Sequence, residues 1–163
     1  MLLVSCSVFK DGIISLNRKD FNGTNLKIDG YFYRNLKSDI PSINIYFFYR
    51  NGVALYGRAT PISELTQVEE TYISGEFDAL SQKSKTGWGV FEIKGTRISF
   101  ETWEPSSGGP VETVVRSGEI LNDTTFVIEK FFNNYDGKTS VGNDTFYFHQ
   151  FSPKPDSTNT FIN

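Results

Sequence analysis

The sequence predicts an all-β fold: an up-and-down antiparallel β-barrel of about eight strands with one or two short helices. Three observations predict it. Aromatic residues make up 15 % of the chain, with 15 Phe and 8 Tyr, and the scattered Gly and Asn punctuate short runs. Several of those runs flank a two-residue turn signal, so neighbouring segments pair as hairpins. Only one stretch, from Pro61 to Lys85, carries apolar residues at helical spacing. A meander of sequential hairpins hides its edges by closing on itself, and eight strands leave room for packed side chains or one small ligand. A two-sheet sandwich is the alternative.

The 163 residues suit one domain that can bury a core without disulfides. The net charge of −3 provides no basic stripe for phosphates, which argues against nucleic acid as a partner. One Cys and one His exclude a disulfide framework and most Cys- or His-based metal sites, so no cofactor or metal is expected. No stretch reaches the roughly 20 apolar residues of a membrane-spanning helix.

In chain order, Leu3-Val4-Ser5-Cys6 resembles the lipobox of bacterial lipoproteins, in which the cysteine is acylated and becomes the N-terminus. The basic and most of the apolar parts of a signal peptide are missing before it, which a start assigned too far downstream would explain. Residues 1–24 are therefore expected to be a truncated lipoprotein signal and linker, with Cys6 the lipidation site, and residues 25–163 the single barrel domain. From Asn25 to Tyr33 apolar and polar residues alternate, the pattern of a first strand.

The run INIYFFYRNGVALYGR is a hairpin with Asn51-Gly52 at its tip, setting Phe48 against Leu55 and Phe47 against Tyr56. Both faces are apolar, so one belongs to the core and the other is covered or lines a cavity. The covering element is expected from Pro61 to Lys85, with Thr60 as N-cap, Pro61 at the first helical position and Gly75 as the interruption. The stretch GWGVFEIKGTRISFETW is the clearest hairpin. A Lys94-Gly95 tip pairs Glu92 with Arg97 and Phe91 with Ile98. One face then carries Phe91, Ile93, Ile98 and Phe100; the other carries Val90, Glu92, Arg97, Ser99 and Glu101. After a flexible loop at 104–110, Val111 to Leu121 and Thr124 to Phe132 flank an Asn122-Asp123 turn that sets Arg116 opposite Glu129. Residues 133–143 read as a connection and Thr145 to Phe151 as the last strand. Phe161 and Ile162 are placed to tuck back onto the barrel.

The stretches DGYFY (29–33), YFFYRNG (46–52), WGVFEIKGTRISFETWEPSSGG (88–109), VRSGEILNDTTF (115–126) and FSPKPDSTNTFI (151–162) together resemble the lipocalin-like lipoproteins of Bacteroidetes-type bacteria. They specify turns and strands, not chemistry. The resemblance implies a calycin-type barrel, an envelope location and a small apolar ligand. The Gly-x-Trp of true lipocalins is absent from the first strand, where Gly30 is followed by Tyr31 and Phe32.

No motif for catalysis is present, so no catalytic residues and no enzyme activity are expected. His149 lacks a second His or Cys as partner. Glu92, Glu101, Glu104, Glu112 and Glu119 invite a paired-carboxylate reading, but alternation places them on the solvent side with Arg97 and Arg116 as partners. The Ser106-Ser107-Gly108-Gly109 run lacks the lysine and helix of a phosphate loop. Asn-x-Thr strings at Asn22, Asn122 and Asn143 read as turns. The candidate ligand-binding set is Tyr31, Tyr33, Tyr46, Tyr56, Trp88 and Trp103, with Arg97 and Arg116, because aromatics supply rigid amphipathic surface in a barrel mouth. The expected function is a lipid-anchored, non-catalytic binding protein for a small apolar or amphipathic ligand. Its expected address is the cell envelope of a Gram-negative bacterium, in the periplasm or at the outer-membrane surface. A structural subunit of the envelope, meeting a protein partner through the second face of the 43–58 hairpin, is the alternative.

Overall fold

Side-chain alternation in the aromatic runs closes one sheet around its own apolar face. The computed structural model describes residues 10–105 and 109–163. Eight strands follow one another: β1 (Gly30–Asn35), β2 (Ser42–Phe48), β3 (Val53–Pro61), β4 (Trp88–Lys94), β5 (Arg97–Glu104), β6 (Glu112–Asn122), β7 (Thr125–Asn133) and β8 (Thr139–Gln150). Each pairs antiparallel with the next, and β8 returns to β1, so the barrel is closed. The expected up-and-down barrel is the observed one.

Two apolar cores lie on either side of the wall. Inside, Phe32, Phe48, Phe91, Phe100, Phe126 and Phe146 are all buried to 1 % exposure or less. Their rings contact one another, with Phe126 and Phe146 stacked at 4.7 Å and 9°. Residues 21–29 cross the bottom and plug it with Phe21, Leu26 and Ile28. Backbone bonds from Phe21 to Arg50 and from Lys27 to Asp123 hold this plug under the hairpin turns. The Asn25–Tyr33 run is thus half plug and half strand: β1 begins at Gly30.

Outside, Tyr31, Ile45, Phe47, Leu55, Trp88 and Val90 form the second core. Helices α1 (Leu65–Ser74) and α2 (Glu76–Ser81) cover it together with the C-terminal tail. Val68 and Tyr72, one helical turn apart, are the buried residues of α1. Tyr72 meets the Phe47 ring edge-on at 5.1 Å and donates a hydrogen bond to the Gly57 carbonyl at 2.9 Å. Gly75 takes φ +78° between the helices, a left-handed turn that suits glycine. Pro61 ends β3 instead of starting the helix, and a 3₁₀ turn over Ile62–Glu64 leads into α1. The second face of the 43–58 hairpin is therefore covered by the chain itself and is not presented to a partner. Ile162 is buried and Phe161 is packed against this same core, as expected of the tail.

Residues 10–18 form a strap down the outside of β5. Gly12 bonds Val111 at its upper end, and Arg18 bonds the Asn51 carbonyl at its lower end. Gly52, at φ +79°, packs directly under the Lys19 carbonyl, where a Cβ would collide. The strap is fastened midway by Glu101, which is fully buried. One Glu101 oxygen accepts from the Ser15 and Leu16 amides and the Ser15 hydroxyl at 2.8–2.9 Å; the other accepts from Asn134 at 2.6 Å.

Three registers differ from the expected ones. Gly95 and Thr96 form the β4–β5 turn, so Lys94 pairs with Arg97 and Phe91 with Phe100. Both faces survive, because the shift preserves alternation. A three-residue turn over 50–52 pairs Phe48 with Ala54 and Tyr46 with Tyr56. In the β6–β7 hairpin, bulges near Ser117 and Ile120 put Arg116 beside Phe131, so Arg116 does not meet Glu129. Glu129 instead pairs with Arg97 at 2.9 Å, and Glu92 with Lys94. Residues 139–143 extend β8 rather than forming a connection.

Candidate functional site

The interior changes character toward the end opposite the plug, where polar side chains on six strands replace the phenylalanines. Alternation makes this legible. Phe48 and Tyr46 point inward on β2, so Asn44 does as well; Phe100 on β5 implies Thr102 and Glu104. Arg116 is aligned with Phe100 across the β5–β6 ladder and projects into the same space.

Arg116 organises the mouth. Its guanidinium donates to Glu104 Oε1 at 2.9 Å, to the Thr102 hydroxyl at 3.1 Å and to the Val114 carbonyl at 3.2 Å. It lies over the Tyr46 and Phe100 rings, 5.7 and 5.5 Å from their centroids. Burial pulls this guanidinium down, but Tyr46 and Glu104 outweigh it and hold it above its ordinary value. Tyr46 packs on Tyr56 at 5.0 Å, and the Tyr56 hydroxyl donates to Asn44 at 3.0 Å. Burial raises both phenols, so both stay neutral hydrogen-bonding groups.

A second ion pair, Arg34 with Asp144 at 2.8 Å, spans β1 and β8. Glu112 accepts from Asn133 at 2.6 Å. Solvent reaches this layer: the Arg34 and Asp144 side chains are each 28 % exposed and Glu104 is 26 % exposed. The mouth therefore presents paired charges, two tyrosine rings and amide groups above an aromatic floor.

Of the residues expected to bind a ligand, Tyr46, Tyr56 and Arg116 come together here. The others lie on the outside of the wall. Tyr31 donates to Glu69 at 2.8 Å and stacks near His149, and Tyr33 contacts Tyr147. Trp88 is wholly buried, donating its indole N–H to the Ser81 carbonyl; Trp103 donates to Gly12 O in the strap. Arg97 sits at the plug end with Glu129. Cys6 and the 106–108 part of the serine-glycine loop lie outside the described residues. Glu101 and Glu119 do not share the interior: Glu101 fastens the strap and Glu119 is exposed.

Arg34, Asn44, Thr102 and Asp144 are mouth residues the sequence did not single out, and Glu104 and Glu112, expected on the solvent side, turn into the mouth to meet Arg116 and Asn133. The available signal was parity with the inward phenylalanines, hidden because charged residues in alternating strands ordinarily face water. Among the described residues no group of His, Cys, Asp and Glu is arranged to hold a metal ion, and no helix is long and apolar enough to cross a membrane. No protein-family model matches this chain, and no curated protein or solved structure matches it either.

Proposed function

We propose that the chain is a non-catalytic binding protein that takes a small, uncharged amphipathic molecule at the barrel mouth. We further propose that it is lipid-anchored through Cys6 in the cell envelope of a Gram-negative bacterium, as a member of the lipocalin-like lipoprotein group it resembles. The observation that carries the binding reading is the Arg116 cluster, a solvent-reached polar layer with tyrosine walls directly above a packed apolar floor. The filled floor favours a ligand lying across the mouth over one threaded deep into the barrel. Charge balance favours a neutral one. Arg34 and Arg116 already have Asp144 and Glu104, and Glu112 adds a further carboxylate, so an added anion would be repelled. The non-catalytic part is supported by the engagement of Glu104 and Glu112 with Arg116 and Asn133. The address is supported by the Leu3-Val4-Ser5-Cys6 string.

Native mass spectrometry of the full chain tests the binding reading, with organic extraction of what co-purifies and titration with the neutral probe N-phenyl-1-naphthylamine. A stoichiometric uncharged molecule, or probe binding weakened in the Tyr56→Ala variant, is the expected result. A clean apo mass with no probe binding overturns it.

A further inference from the structure

The plug end of the barrel carries a charge arrangement that the mouth does not. Lys154, in the C-terminal tail, turns under the barrel and donates to the Ile28 carbonyl at 2.6 Å and the Phe48 carbonyl at 2.8 Å. Its ammonium also lies 4.3 Å from the Tyr49 ring centroid. Arg50, in the β2–β3 turn, donates to the Phe21 and Gly23 carbonyls and covers the Phe21 ring. Among the described residues neither cation has a carboxylate within salt-bridge distance. Both line one cleft of about 490 Å³ whose walls include Leu26 and Ile28. Lys27 lines it as well but pairs with Asp123 at 3.5 Å. Asp29, which is exposed, is the one acidic residue in the lining.

We propose that this cleft binds an amphipathic anion: an oxyanion headgroup, carboxylate or phosphate, carried on an apolar chain. Arg50 and Lys154 supply two cations held by neutral carbonyls and ring faces, so a headgroup between them meets charges that no carboxylate has already satisfied. The cleft lining is more apolar than polar, which gives the chain a surface to lie against. Burial, opposed by Asp29 and aided by Arg50, depresses the Lys154 ammonium to about 8. Its other neighbour, Tyr49, is held neutral by burial. A bound anion favours the charged ammonium, and binding is accordingly tighter below pH 8 than above it. The site lies at the opposite end of the barrel from Arg116, and its test is independent of the mouth.

Calorimetric titration of the full chain with decanoate, decyl phosphate and inorganic phosphate tests the assignment. Either alkyl anion should bind, and which one binds tighter identifies the headgroup. Lys154→Met should weaken binding roughly tenfold, as should raising the pH well above 8, since both remove one of two charge-assisted contacts. Asp29→Asn alters only an exposed side chain and should tighten binding about threefold by removing a repulsive charge. The assignment is overturned if neither alkyl anion binds, if inorganic phosphate binds as tightly as decyl phosphate, or if affinity is unchanged in Asp29→Asn. A purely architectural Lys154 would lower stability in Lys154→Met and leave binding untouched, which also overturns it.

Discussion

Arg116 Nη2 lies 2.9 Å from Glu104 Oε1 inside the barrel, and the guanidinium rests over the Tyr46 and Phe100 rings. The pair joins the polar mouth to the aromatic floor. Removing one partner leaves the other charge partly buried and unpaired, the expensive case for an internal ion pair. Arg116→Met should lower unfolding free energy by about 3 kcal/mol, and Arg116→Met with Glu104→Met should recover at least half of that. Urea denaturation of the four species closes the cycle.

The strap offers a sharper test of a single carboxylate. Glu101 accepts four hydrogen bonds from residues 15, 16 and 134 while fully buried. Glu101→Ala should cost about 3 kcal/mol and free residues 10–18 locally before global unfolding. Hydrogen exchange at the Leu16 amide reads this directly: protection there should fall much further than protection in β7.

The aromatic floor predicts a cavity effect. Phe126 is fully buried and stacked on Phe146. Phe126→Ala should destabilise by about 4 kcal/mol, and Phe126→Leu by considerably less. Thermal melts followed by far-ultraviolet circular dichroism suffice. Equal losses for the two variants would show that the floor is loosely filled.

Stability should pass through a maximum in mildly alkaline solution. The Lys154 ammonium is depressed from 10.5 to about 8 in the folded state, so between those values the unfolded chain binds more protons. Stability therefore rises as pH increases through that window, by at most about 3 kcal/mol, and the penalty is fully present below pH 8. Tyr46, Tyr49 and Tyr72 are raised above 10.0 by burial, so above about pH 10 the unfolded chain loses protons that the folded chain keeps, and stability falls. Lys154→Met should erase the rise and retain the fall, as measured by denaturation midpoints from pH 7 to pH 11.

The sequence carries side-chain parity well and loop length poorly. In β4 and β5 the inward set Phe91, Ile93, Ile98 and Phe100 was readable, although Lys94-Gly95 is not the turn. Faces depend on alternation alone, whereas partners depend on where the reversal falls. At Asn51-Gly52 the reversal takes one more residue, because the Tyr49 amide pairs with Val53 and the strap crosses against Gly52. A contact between residues so distant in sequence leaves no local trace. Tyr46, Tyr56 and Arg116 were named without the relationship that joins them, since the Arg116 register rests on two bulges in β6 and β7. The aromatic residues outside the wall were equally indistinguishable from those within. Trp88 and Tyr31 serve a second core made by helices and tail, and composition alone does not separate two cores from one.

Closure of β1 on β8 has a consequence for biosynthesis. Gly30 finds its partner in Gln150, so the seam stays open until residue 150 has been made. Until then β1 exposes unpaired amides and carbonyls, and the outer face awaits residues 151–162, which follow β8. Such long-range closure is slow, and the unfinished sheet can pair with other nascent chains. The nascent polypeptide is thus most vulnerable between the synthesis of β1 and that of β8, and holding β1 apart from like strands during that interval is where a chaperone would contribute most.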